Sequence, residues 1–110
     1  MSKDEGWILD MILAARKVRE FAKGVSWESF RTDEIIQNAI MHQIQIIGEA
    51  ARSVSEEYRL TRPLVPWTQI VGMRHKLVHH YFQILPERVW EVVEKDIDPL
   101  IDALEAAAPK

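Results

Sequence analysis

Apolar residues at Ile36, Ile40, Ile44, Ile47, Ala51, Val54 and Tyr58 recur at spacings of three and four. That stripe commits the middle of the chain to a long amphipathic α-helix. Thr32 or Asp33 can cap its start, and Asp33 and Glu34 stand where negative charge favours a first turn. Continued to about residue 59, roughly 27 residues, such a helix would be about 40 Å long. Gly48, Ala50 and Ala51 would let a neighbouring helix come close. An interior glycine costs about 1 kcal/mol relative to alanine, so Gly48 is expected to answer a packing need.

The remaining segments follow the same period. Ile8, Ile12, Ala15, Val18 or Arg19, and Ala22 form a first stripe that stops at Gly24. A short aromatic element, Ser26 to Phe30, follows. The two prolines between Leu60 and Pro66 cannot continue the long helix, and Pro66 suits the first position of the next. That third helix carries Trp67, Ile70, Met73 or Arg74, and Leu77 inward, reaching about His80. Pro86 opens a fourth, with Val89, Trp90, Val93, Ile97, Leu100, Ile101 and Leu104 as its apolar face, kinked or restarted at Asp98–Pro99. Trp27, Trp67 and Trp90 are expected in the core or at an interface, Glu91 to Asp102 as a solvated face, and Ala106 to Lys110 as a frayed end. No strand alternation or repeat appears. The expectation is an all-α bundle of four to five helices, one domain over residues 1–110.

Composition narrows the function. The 110 residues include no cysteine, which removes disulfides, thiolate catalysis and Cys-ligated zinc. The apolar runs fall far short of the ~20 residues needed to span a bilayer. The start, Met1 to Glu5, lacks the layout of a signal peptide, so a cytoplasmic location is expected. A net charge of −3 argues against broad electrostatic attraction to nucleic acid, so any such binding must come from a local patch.

Such a patch is present between Met73 and Phe82, where Arg74 is followed by His75, Lys76, His79, His80 and Tyr81. Arginine is a phosphate clamp and histidine a proton carrier near neutral pH. On one regular helix Arg74 and His79 would lie about 140° apart, and Arg74 and Tyr81 about 10 Å apart along the axis. Convergence therefore requires either a helix that ends near His79 or a two-fold dimer bringing both residues of each chain to one groove. In either case Arg74 can stabilise charge on a phosphorane while His79 takes the proton of a ribose 2′-hydroxyl attacking the adjacent phosphorus. His75, or His79 of the partner subunit, can protonate the leaving 5′-oxygen. The nucleophile is internal, so this route needs no metal; it implies RNA as substrate and a 2′,3′-cyclic phosphate product. Plainer readings stay open: Arg74 as a surface ion-pair partner, His79 as a cation at a helix end, Tyr81 as an anchor. His75 and His79 have a zinc-compatible spacing, but no further ligand pattern completes a site.

Arg-x4-His-x-Tyr, here Arg74, His79 and Tyr81, resembles the signature of HEPN-domain ribonucleases, and more narrowly of the HepT-like toxins formerly grouped as DUF86. Further landmarks in order are Asp10-x-Ile12, Phe21, Gly24, Phe30, Asp33, Ile47-Gly48-Glu49-Ala50, Pro66-Trp67, Ile70, Val89-Trp90 and Pro99-Leu100, covering nearly the whole chain. The resemblance implies a HEPN fold, a homodimer with its cleft at the interface, and metal-independent cleavage of RNA without a cofactor. It also implies a toxin–antitoxin pair whose antitoxin is a nucleotidyltransferase of the MntA type that transfers AMP to the motif tyrosine, here Tyr81. Glu49 stands where it could orient Arg74. One departure is His75, at a position most often Asn in the family. Two rival readings are a non-catalytic module that docks nucleotide or the nucleotidyltransferase, and a purely structural helical dimer.

Overall fold

The structure, a computed structural model, describes residues 2–79 and 83–108, and of His79 the backbone alone. It is an all-α bundle of the HEPN type. Its helices are α1 (Lys3–Ala22), α2 (Trp27–Phe30), α3 (Glu34–Ser53), α4 (Glu56–Leu60), α5 (Trp67–Leu77), α6 (Pro86–Glu91) and α7 (Ile97–Ala107). Two short strands, β1 (Val78–His79) and β2 (Gln83–Ile84), interrupt the helical run, so the expectation of no strand is corrected.

The bundle is organised around α1 and α3, its most extensive pair, with α5 against α3 and α7 against α1. The stripe read on α1 is buried at Ile8, Ile12, Ala15 and Val18, but so are Met11 and Ala14. The wider apolar face follows from α1 meeting two helices, α3 and α7. On α3 the stripe is buried at Ile40, Ile44, Ile47 and Ala51. Gly48 faces α5: a Cβ placed there would lie 3.6 Å from the Ile70 carbonyl oxygen, an ordinary van der Waals contact. Alanine would therefore fit at that crossing, a looser approach than the small-residue cluster implied. Gly24 adopts φ +75° in the turn after α1, where the Val25 N–H donates to the Ala22 carbonyl at 3.0 Å. A turn of this kind favours glycine at its third position.

Phe30 is fully buried and joins α2 to α6 through the rings of Trp27 and Trp90, with centroids 6.3 and 4.9 Å away. Gln37, buried on α3, donates from Nε2 to the Phe30 carbonyl at 2.8 Å and satisfies the end of α2.

The expected helix to residue 59 breaks after Ser53, and the cause is visible in its hydrogen bonds. Val54 is extended (φ −68°, ψ 134°), and the Ser55 hydroxyl accepts from the Tyr58 N–H to cap α4. The Ser55 N–H and hydroxyl donate to the two carboxylate oxygens of Asp4 at 2.8 and 2.7 Å. Ser55 thus exchanges an intrahelical bond for two bonds to α1. The carbonyls released at the end of α3, Ala51 and Arg52, accept from Arg59 Nη2 at 2.8 and 3.1 Å.

The backbone N–H of Ser55, and then its hydroxyl, hold the Asp4 carboxyl below its ordinary value of 3.8. A depressed folded-state value contributes stability that is complete above the ordinary value and is lost as pH falls through the folded one. Melting temperatures of wild type and Asp4→Asn are therefore expected to differ most at about pH 5 and to converge towards about pH 2, wild type falling more steeply. Parallel curves would show that the carboxylate charge contributes nothing to this junction.

The C-terminal arm also departs from a regular helix. Between α6 and α7 lies one π turn, Val92–Asp96, closed by the Ile97 N–H donating to the Val92 carbonyl. The sequence spacing placed Val93 inward, four residues before Ile97; the π turn makes the interval five and buries Val92 instead, leaving Val93 half-buried. Pro99 becomes the third residue of α7, where its missing N–H breaks no internal bond. Asp98, the second residue of α7, reaches Arg19 of α1 at 3.6 Å. Among the described residues, no helix is long and apolar enough to cross a membrane.

Candidate active site

α5 carries the first half of the motif. Pro66 stands immediately before its first residue, Trp67, whose indole Nε1 donates to the Arg62 carbonyl at 3.1 Å. Ile70 and Leu77 are buried as expected. Arg74 lies in the last turn, half-buried, with its Nε shielded from solvent, while His75 and Lys76 are exposed. Met73, beside it, lines an apolar groove of about 460 Å³ with Ile70, Leu77, Val92, Ile97 and Leu100.

The helix was expected to reach about His80 but ends at Leu77, with Val78 extended (φ −126°, ψ 145°). Three backbone features account for this. The Leu85 N–H donates to the Leu77 carbonyl at 2.9 Å, Val78 pairs with Ile84, and His79 pairs with Gln83 in antiparallel register. Val78 and Ile84 also pack on the core, an anchor suited to a β-branched pair. Of the two ways to relieve the helical separation of Arg74 and His79, the backbone adopts the first, a helix that stops between them. His80 and Tyr81 lie outside the described residues, as does the side chain of His79.

Glu49 is exposed on α3 and accepts from Gln45 Nε2 at 3.2 Å. Among the described residues, no group of three or more His, Asp or Glu side chains gathers as a metal site.

One neighbour of the motif was missed by sequence reasoning. Arg88, in the first turns of α6, reaches back so that Nη1 donates to the Lys76 carbonyl at 3.4 Å. Its sequence signal is faint: only Pro86, starting a helix directly after the hairpin, places it near the end of α5.

The family model for ribonuclease HepT-like proteins matches residues 11–107. The chain belongs to the HepT-like family. It is 34% identical over 99 residues to a Methanocaldococcus jannaschii protein named "Putative RNase", covering 88% of this chain and 91% of that one. A "Putative RNase" of Caldanaerobacter subterraneus is 40% identical over 81 residues, 74% of this chain and 72% of that protein. The "Probable ribonuclease HepT" of Thermococcus cleftensis is 31% identical over 94 residues, 86% of each chain. No solved structure gives a significant match. In this HepT-like chain the matched region contains the whole motif, Arg74 to Tyr81, the C-terminal part of α1, all of α3 and all of α7.

Proposed function

We propose that this HepT-like chain is a metal-independent endoribonuclease, the toxin of a toxin–antitoxin pair. The observation that carries the reading is the sequence motif Arg74-x4-His79-x-Tyr81 within a family match over residues 11–107, with a helix-to-strand break between Arg74 and His79. Arg74 binds the scissile phosphate and stabilises the charge that builds on its oxygens. His79 accepts the 2′-hydroxyl proton as O2′ bonds to phosphorus. The P–O5′ bond breaks, and a second imidazole, that of His79 of the partner subunit or of His75, donates a proton to O5′. The products are a 2′,3′-cyclic phosphate and a 5′-hydroxyl.

A homodimer would supply the second His79 and shape the cleft between protomers. The antitoxin would be an MntA-like nucleotidyltransferase acting on Tyr81. AMP attached there adds a phosphate anion beside Arg74 and His79, opposing RNA both sterically and electrostatically. Glu49 orients Arg74 in this scheme.

The test is cleavage of RNA by the purified chain in excess EDTA, with the product ends analysed. Cyclic-phosphate ends are expected. An intact substrate, or cleavage that requires added divalent metal, would overturn the reading and favour a docking module for the nucleotidyltransferase.

A further inference from the structure

The chain carries a net charge of −3, yet from Arg74 to Arg88 its sequence holds three permanent cations, Arg74, Lys76 and Arg88, against one carboxylate, Glu87. The fold brings the last of these to the end of α5. Lys76 lies two residues beyond Arg74, about 3 Å further along the α5 axis and on the other side of the helix. The Arg88 guanidinium sits on the Lys76 carbonyl at 3.4 Å, although twelve residues separate them in sequence. Both Lys76 and Arg88 are exposed.

Capping alone does not account for an arginine here. One N–H is enough to satisfy one carbonyl, and the guanidinium has five donors in a fork matched to phosphate. The bond to Lys76 is the one side-chain hydrogen bond of Arg88 among the described residues. It fixes the orientation of the fork while its other donors stay available. The C-terminal dipole of α5 also favours a cation at this position.

We propose that Arg88 is a substrate-binding residue of the ribonuclease site, taking a phosphate of the RNA strand adjacent to the one held by Arg74. This rests on the ribonuclease reading. Arg88 contributes affinity and register rather than bond cleavage, so its removal acts on KM.

The experiment compares wild type, Arg88→Gln and Arg88→Lys in steady-state cleavage of one RNA oligonucleotide. Binding of the same oligonucleotide is measured across a salt series, with each variant in a His79→Ala background. Arg88→Gln is expected to raise KM about tenfold, the worth of one charge-assisted hydrogen bond, with kcat within about twofold. The slope of log affinity against log salt should shrink by about 0.7, one single-strand phosphate contact, and Arg88→Lys should restore it. Unchanged KM and slope, or a lower melting temperature with the slope intact, would overturn the proposal and leave Arg88 as a helix cap. The two readings fail separately. If wild type cuts no RNA but the slopes differ as stated, the ribonuclease reading falls and phosphate binding at Arg88 stands; if the chain does not bind RNA, both fall.

Discussion

Arg74→Lys is expected to lower the single-turnover rate of RNA cleavage by about 10²–10³-fold although it keeps the positive charge. The reason is geometric. Arg74 sits half-buried in the last turn of α5 with its Nε shielded from solvent. An ammonium on a flexible stem cannot reproduce two parallel donors toward phosphate oxygens whose charge grows during reaction. His79→Ala should fall by about 10²–10⁴-fold, the range for loss of a general base. The double variant should be little worse than the more damaging single one, because the two groups act on one transition state. Circular dichroism of each variant separates a chemical defect from a misfolded chain. A lysine variant within threefold of wild type would remove Arg74 from the proposed chemistry.

The largest expected loss of stability is Phe30→Ala, about 3–5 kcal/mol. Phe30 is completely buried, and its ring holds Trp27 of α2 and Trp90 of α6 at 6.3 and 4.9 Å. The change leaves a cavity and removes ring–ring contacts that add about 0.5–1.5 kcal/mol to simple burial. Domains of this size are stable by only about 5–15 kcal/mol, so the variant should unfold at a far lower urea concentration. Trp27→Ala should cost less, because Trp27 keeps part of its surface in water. A loss below about 1 kcal/mol for Phe30→Ala would mean that α2 does not fasten the base of α6.

What could be read from the sequence divides along physical lines. Helix starts and stops governed by local chemistry, such as Gly24, Asp33 and Pro86, lie where the residues placed them. The helix break at Val54 could not be read, because the group that competes for the Ser55 amide is Asp4, 51 residues away. The π turn was equally hidden: Val92 and Val93 are chemically alike, and only the fit of α7 against α1 selects which is buried. At the candidate site the motif from Arg74 to Tyr81 could be read, and the helical angle between Arg74 and His79 left two solutions open, a helix end or a dimer. That the interruption is a strand pair follows from Gln83 and Ile84, whose short segment carries no alternation long enough to signal a strand. Arg59 and Arg88 were invisible for a shared reason. Both satisfy backbone carbonyls of another helix, a task that any long donor can perform and that leaves no spacing rule behind.

The packing of α1 on α7 has a consequence for the order in which the chain can acquire structure. α1 leaves a ribosome before α7, yet one of its buried faces has no cover until α7 follows, and Arg16 waits for Glu105 there. Closing so long a loop is slow and is rewarded only when its ends meet. The segment bearing Arg74 and Arg88 is therefore synthesised onto an unfinished support. During translation the nascent chain passes through a period in which these cations exist but the helix that completes the framework beneath them does not.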